Sequence, residues 1–211
     1  MNPVKFICVH LSLSVTASML LCGCEIPGAV VYKVAGPPKV EAKFVPAQVP
    51  TLVLAENYRN PSSAALEGEA LARAVQEELE AHHVVPLVNS SSYFTLRAEK
   101  PAEVKAMTIS QVGKAVGAKQ IIYINIDRSS IEEAAGTEML KGRMAVYVRV
   151  VDAESGETVW PKENSSGWFL KSETPYLRTG GGVNEDFIRR QMTSALSEQI
   201  ARLFYKWKPE E

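Results

Sequence analysis

The chain has 211 residues, of which 23 are Lys or Arg and 24 are Asp or Glu, giving a formal net charge of −1 with its three His neutral. That balance excludes the basic footprint of a nucleic-acid binder, or of a protein held to an anionic membrane by charge. The three cysteines stand at 8, 22 and 24, so the chain beyond Cys24 has no thiol for a disulfide, a thiolate metal site or a nucleophile.

The first predicted element is a secretory signal. Lys5 precedes an apolar, Ser-interrupted run from Phe6 to Leu21 that ends in small residues. A spanning helix would need about 20 apolar residues. The run Leu21-Cys22-Gly23-Cys24 resembles the lipobox of bacterial lipoproteins. That resemblance implies that residues 1–23 are removed, that the thiol after a small residue carries lipid, and that the rest lies outside the cytoplasm. Gly23 fits the small position and Leu21 does not, so Cys24 rather than Cys22 is the expected lipidation site. Glu25 is not the Asp associated with inner-membrane retention, so the expected address is the outer membrane, facing the periplasm. Cleavage would leave 188 residues, with 22 basic and 24 acidic, enough for one domain and a tether.

Residues 24–50 read as that tether. Prolines at 27, 37, 38, 46 and 50 remove backbone donors and favour extended neighbours. The expected domain covers 51–208. Thr51–Ala55 is a short apolar run suited to a strand buried on both faces. Asn60-Pro61-Ser62-Ser63 is a helix-start cluster, and Leu71, Val75 and Leu79 recur at helical spacing behind it, with Gly68 as a weakening residue. Val84–Val88 reads as an edge strand because of Pro86, and Asn89–Met107 as a polar loop. Thr108 and Gln111 form a capping box for a helix closed by Gly117.

Ile121–Ile126 is the most strand-like run. Ser129–Gly136 reads as a loop with an acidic tip at Glu132-Glu133. Alternating Met144, Val146, Val148 and Val150 mark a longer strand over 138–151. Asp152–Gly156 is a turn, Glu157–Trp160 returns from it, and 166–171 is a further strand. Asn184 caps a last helix whose stripe is Ile188, Met192, Leu196, Ile200 and Leu203. The order β-α-β-α-β-β-β-α places the chain in the mixed α/β (α+β) class, parallel at first and antiparallel at the end.

Two phrases carry a further resemblance. One is a short helix ending in Gly-Ala before an apolar strand, Val112-Gly-Lys-Ala-Val-Gly117-Ala118-Lys-Gln-Ile121-Ile122. The other is Val148-Arg-Val-Val-Asp152-Ala-Glu-Ser-Gly156-Glu-Thr-Val-Trp160. Both resemble the periplasmic domain of the curli-secretion lipoprotein family. They are also similar to lipoprotein activators of penicillin-binding proteins and to the N-terminal domain of the Tol-system propeller protein. The resemblance spans roughly 51–205. It implies a three-layer domain with a mixed, roughly five-stranded sheet and protein–protein work at the envelope, and it carries over no catalytic residue.

Chemistry is sparse. His82 and His83 are adjacent, pointing about 100° apart on a helix, so they cannot grip one ion as an i, i+4 pair would. Gly180-Gly181-Gly182 lacks a following Lys-Ser/Thr, and Glu185 and Asp186 already occupy the positive end of the next helix. A hinge is the better reading. Asn89-Ser90-Ser91-Ser92 has no nucleophile elbow around it. Asp152–Gly156 lacks the ligand ladder of a calcium loop. Trp160, Trp168 and Tyr176 are the candidate ligand or partner contacts. No catalytic set, metal site or cofactor is expected. The expected partners are the membrane, through lipid on Cys24, and another envelope protein, with a homo-oligomer also open and nucleic acid excluded. A non-catalytic interaction or assembly module is therefore the first reading, and a small-molecule or glycan-binding lipoprotein the second.

Overall fold

Hydrophobic alternation decides the architecture. The computed structural model describes residues 38–57 and 65–209. Cys24, the signal and the cluster Asn60–Ser63 lie outside the described residues. One unit spans Glu41–Trp207. Its elements are β1 (Thr51–Glu56), α1 (Ala65–Ala81), α2 (Ser91–Glu99), α3 (Pro101–Ala106), α4 (Ile109–Ala115), β2 (Gln120–Glu133), β3 (Met139–Asp152), β4 (Thr158–Trp160), β5 (Trp168–Glu173), β6 (Leu177–Arg178) and α5 (Glu185–Ala201).

The fold is mixed α/β, with a six-stranded sheet among the described residues. β1 and β2 run parallel, with Thr51 opposite Gln120 and Glu56 opposite Asn125. β2 and β3 are antiparallel, with Ile124 opposite Val148. β4, β5 and β6 each pair with β3 at successive stretches of its other edge. The two most apolar strands, β1 and β2, are therefore neighbours.

One sheet face carries Val53 and Ala55 from β1, Ile122, Ile124 and Ile126 from β2, and Met144, Val146, Val148 and Val150 from β3. Leu71, Val75 and Leu79 of α1 and Ile188, Met192, Leu196 and Ile200 of α5 close over it. Each of these large side chains contributes about 1.5–3 kcal/mol by leaving water. The other face carries Leu52, Leu54, Ile121, Tyr123 and Val151, covered by Tyr93 of α2, Val104 of α3 and Val112 of α4. Three layers result. The continuous apolar runs of β1 and early β2 follow from helices on both sides.

Helix ends follow their sequence signals. Thr108 Oγ1 accepts from Gln111 N at 3.2 Å and Gln111 Oε1 accepts from Thr108 N at 2.7 Å, completing the capping box. Asn184 Oδ1 accepts from Phe187 N at 2.9 Å at the start of α5. Gly68 is an exception to propensity with a steric cause: a Cβ there would meet the Ala55 carbonyl oxygen at 2.5 Å, so the helix comes this close to β1 only with glycine. At the turn after β3, Asp152 Oδ1 accepts from Glu154 N, Ser155 N and Ser155 Oγ at 2.7–3.0 Å. The Ser155 bonds hold its carboxyl below the usual range. Gly156 takes φ +79° there, which a side chain would resist.

Four expectations are corrected. Val84–Val88 is not a strand. Pro86 has no N–H to give a ladder, and only Leu87 bridges Thr51, with Thr51 N donating to Pro86 O at 2.9 Å and Val88 N to Thr51 O at 2.8 Å. Asn89–Met107 is not a loop but holds α2 and α3, α3 opening with Pro101 in its first turn. Ser129–Glu133 is strand, because a register shift between Ile126 and Arg128 lets β2 continue opposite Leu140–Met144.

The fourth concerns the tether, whose last ten residues are a strap on the domain. Lys43 N and Phe44 N both donate to Leu203 O, at 2.8 and 3.0 Å. Gln48 Nε2 donates to Val84 O at 2.9 Å, and Pro46 is buried. The packed unit thus begins near Glu41 rather than at Thr51. Gly180–Gly182 forms a turn in which Gly180 and Val183 exchange backbone hydrogen bonds at 3.2 and 3.0 Å.

Candidate functional site: an aromatic edge strand and a cationic cavity

β5 has β3 as its one strand partner among the described residues, so its other side is a sheet edge. Residues opposite one another in an antiparallel pair share a face. Trp168 opposite Val148 therefore sits on the α5 side, and Phe169 opposite Tyr147 on the other. Trp168 stacks on Trp160 with ring centroids 5.6 Å apart, and Lys43 Nζ lies 5.8 Å from the Trp168 ring. Trp160 is also stacked by Phe44 at 5.8 Å and met edge-on by Phe204 at 6.0 Å. Phe169 lies 5.3 Å from Tyr147.

Trp168 is 36% exposed, Phe169 48% and Tyr176 45%, so three of the five large exposed hydrophobics among the described residues fall on residues 168–176. Tyr176 does not join the tryptophans. Lys141 Nζ sits 5.6 Å from its ring, and the register of Leu177 against Leu140 and of Trp168 against Val148 puts it at the far end of the β3 edge. At about 3.3 Å per residue that is roughly 20 Å away. The expected trio thus makes two places. Trp160 is committed to packing, while Trp168 and Tyr176 face solvent at either end of β5. Between them Lys141 Nζ binds Glu173 at 3.1 Å and lowers its carboxyl pKa from the ordinary value.

A second feature was not legible in sequence. α2–α4 cover only part of their sheet face, and a cavity of about 1030 Å³ lies between them and the strands. Leu54, Val104, Met107, Ile109 and Val112 supply its apolar wall; Glu56, Arg97, Lys105 and Arg149 supply its charges. An adjoining groove of about 450 Å³ shares Tyr123 and Arg149 with it and adds Asn125, Asp127 and Tyr147. Tyr93 is buried and its hydroxyl donates to Glu56 Oε1 at 2.6 Å. Burial, then the Glu56 charge, raise the Tyr93 phenol far above its ordinary value, against an opposing pull from Arg97. Tyr93 is therefore a proton-holding donor at neutral pH and not a base. The Arg97 guanidinium lies 5.6 Å from the Tyr93 ring and 5.5 Å from Phe94. That of Arg149 lies 4.8 Å above Tyr123. The arrangement can hold an anion against an apolar wall.

The other chemical candidates are absorbed locally. Ser91 N and Oγ both donate to Asn89 Oδ1, at 2.9 and 2.6 Å, and Ser90 N donates to Gln76 Oε1 at 3.0 Å. His82 stacks on Tyr205 with ring centroids 4.0 Å apart, and His83 takes φ +51° past the end of α1. No cluster of three His, Cys, Asp or Glu able to hold a metal occurs among the described residues. Nor is any described helix long and apolar enough to cross a membrane.

No protein-family model matches the chain. A search of curated proteins found no match either. Solved structures with partial similarity include lipoprotein GNA1162 from Neisseria meningitidis, at 15% identity over 72% of this chain and 94% of that chain, with a TM-score of 0.39. PelC from Paraburkholderia phytofirmans, a dodecamer, is 12% identical over 81% of this chain and 94% of that one, with a TM-score of 0.40. A minor lipoprotein from Acinetobacter baumannii is 14% identical over 72% and 89%, with a TM-score of 0.39.

Proposed function

We propose that the protein is a lipid-anchored envelope module, attached through Cys24 after loss of residues 1–23, that works by binding another envelope protein rather than by catalysis. The observation that carries this reading is the edge strand β5, which presents Trp168 and Phe169 to solvent on opposite sides of one open strand. A partner segment added to such an edge gains main-chain hydrogen bonds, and the alternating aromatics set its register. Aromatic residues of this kind dominate binding energy at protein interfaces. Trp160 and Phe44 act as the backing that fixes Trp168, and Tyr176 marks the far end of the surface.

The two phrases around Gly117-Ala118 and Asp152–Trp160, which fall at the α4–β2 and β3–β4 junctions, support membership of the curli-secretion and penicillin-binding-protein-activator group of domains. Two measurements test the reading. An acyl probe should label the wild-type chain and miss Cys24→Ala. Crosslinking in intact cells should recover an envelope protein with the wild type and lose it with Phe169→Glu, at unchanged melting temperature. Persisting label, or undiminished capture by Phe169→Glu, would contradict it.

A further inference from the structure

We infer that the cavity beneath α2–α4 is a binding site for a small anionic amphiphile, whose apolar tail lies along Val104, Met107 and Val112 and whose head faces Arg97 and Arg149. The cavity, about 1030 Å³, is at the upper end of the range of small-molecule sites, about 300–1,000 Å³. Its wall is apolar on the Leu54 and Val112 side. Three cations, Arg97, Lys105 and Arg149, face one carboxylate, Glu56, and that carboxylate accepts the Tyr93 hydroxyl. Counting Asp127 in the adjoining groove, the cations still outnumber the carboxylates.

Geometry adds to the charge count. Each guanidinium is set against aromatic rings, Arg149 over Tyr123 and Arg97 beside Tyr93 and Phe94. The N–H fork of a guanidinium matches carboxylate and phosphate oxygens. A cationic ligand would meet repulsion here, and a neutral one would leave the excess positive charge of the lining unmatched. The site is distinct from the β5 edge and does not depend on partner binding there, so either reading can fail alone.

The test uses the full chain in neutral detergent with methyl-labelled methionine, titrated with octanoate. The Met107 methyl signal should shift in a saturable way, while that of Met192, buried on the other face of the sheet, stays in place. Octylammonium should leave Met107 unmoved. Arg97→Gln and Arg149→Gln should each weaken octanoate binding by about tenfold, the loss of one charge-assisted contact. Should either variant melt early, Lys105→Gln, on an exposed position of α3, replaces it and should weaken binding in the same direction. No shift at Met107, an equal shift with octylammonium, or unchanged affinity in folded variants would overturn the site. So would binding seen only with phosphatidylglycerol vesicles and never with free octanoate.

Discussion

Phe44 stacks on Trp160 with ring centroids 5.8 Å apart and ring planes 23° from parallel. A residue expected in a free tether is thereby part of the packing behind Trp168. Together with the Lys43 and Phe44 amides bound to Leu203 O, this contact sews residues 41–48 to the domain. Phe44→Ala should cost about 1–2 kcal/mol in urea unfolding, below the 3–5 kcal/mol of a fully buried ring because Phe44 is half-buried. Deleting Gly36–Gln48 should lower stability by more than that. Unchanged unfolding of both variants would mean that the strap is not held in solution.

The α5 stripe provides a second check. Ile200 is fully buried against the sheet, and Ile200→Ala should cost about 2–5 kcal/mol. A loss below about 0.5 kcal/mol, the range of surface changes, would show that α5 is not docked.

Tyr93 makes a pH-dependent prediction. Its folded pKa is raised, chiefly by burial, so the folded state holds the proton after the unfolded chain has released it near pH 10. Stability from this group is fully present below about pH 10 and falls as pH rises above it. Tyr93→Phe should be less stable by about 0.5–1.5 kcal/mol at neutral pH, through loss of the bond to Glu56. The gap from wild type should narrow above pH 10. Thermal melts across pH 7–11 check this, and a gap that widens would contradict it.

Sequence periodicity made the α1–α5 core legible because one face of each element is buried throughout: Leu71, Val75 and Leu79 on α1, Val146, Val148 and Val150 on β3, Ile188 to Ile200 on α5. It was blind where burial is one-sided and short. α2 and α3 bury only Tyr93 and Val104, so their sequence reads as polar loop. β2 runs on past a register shift at Asp127, which breaks the alternation that marks a strand. The cavity joins Tyr93 and Arg97 of α2 to Arg149 of β3, residues that no local pattern connects. The alternation of β3 does put Tyr147 and Arg149 on the face opposite Val146, Val148 and Val150, a visible hint of a polar surface there. Trp168 was legible as a candidate; its backing by Trp160 and Phe44 was not, because that requires the strap.

The edge strand β5 is the surface proposed to meet another protein. The decisive measurement is photocrosslinking in intact cells with p-benzoylphenylalanine in place of Phe169, compared with the same substitution for Glu77 on the exposed side of α1. A discrete adduct with another envelope protein is expected from position 169 and none from position 77. No adduct at 169, or the same adducts from both positions, would contradict it.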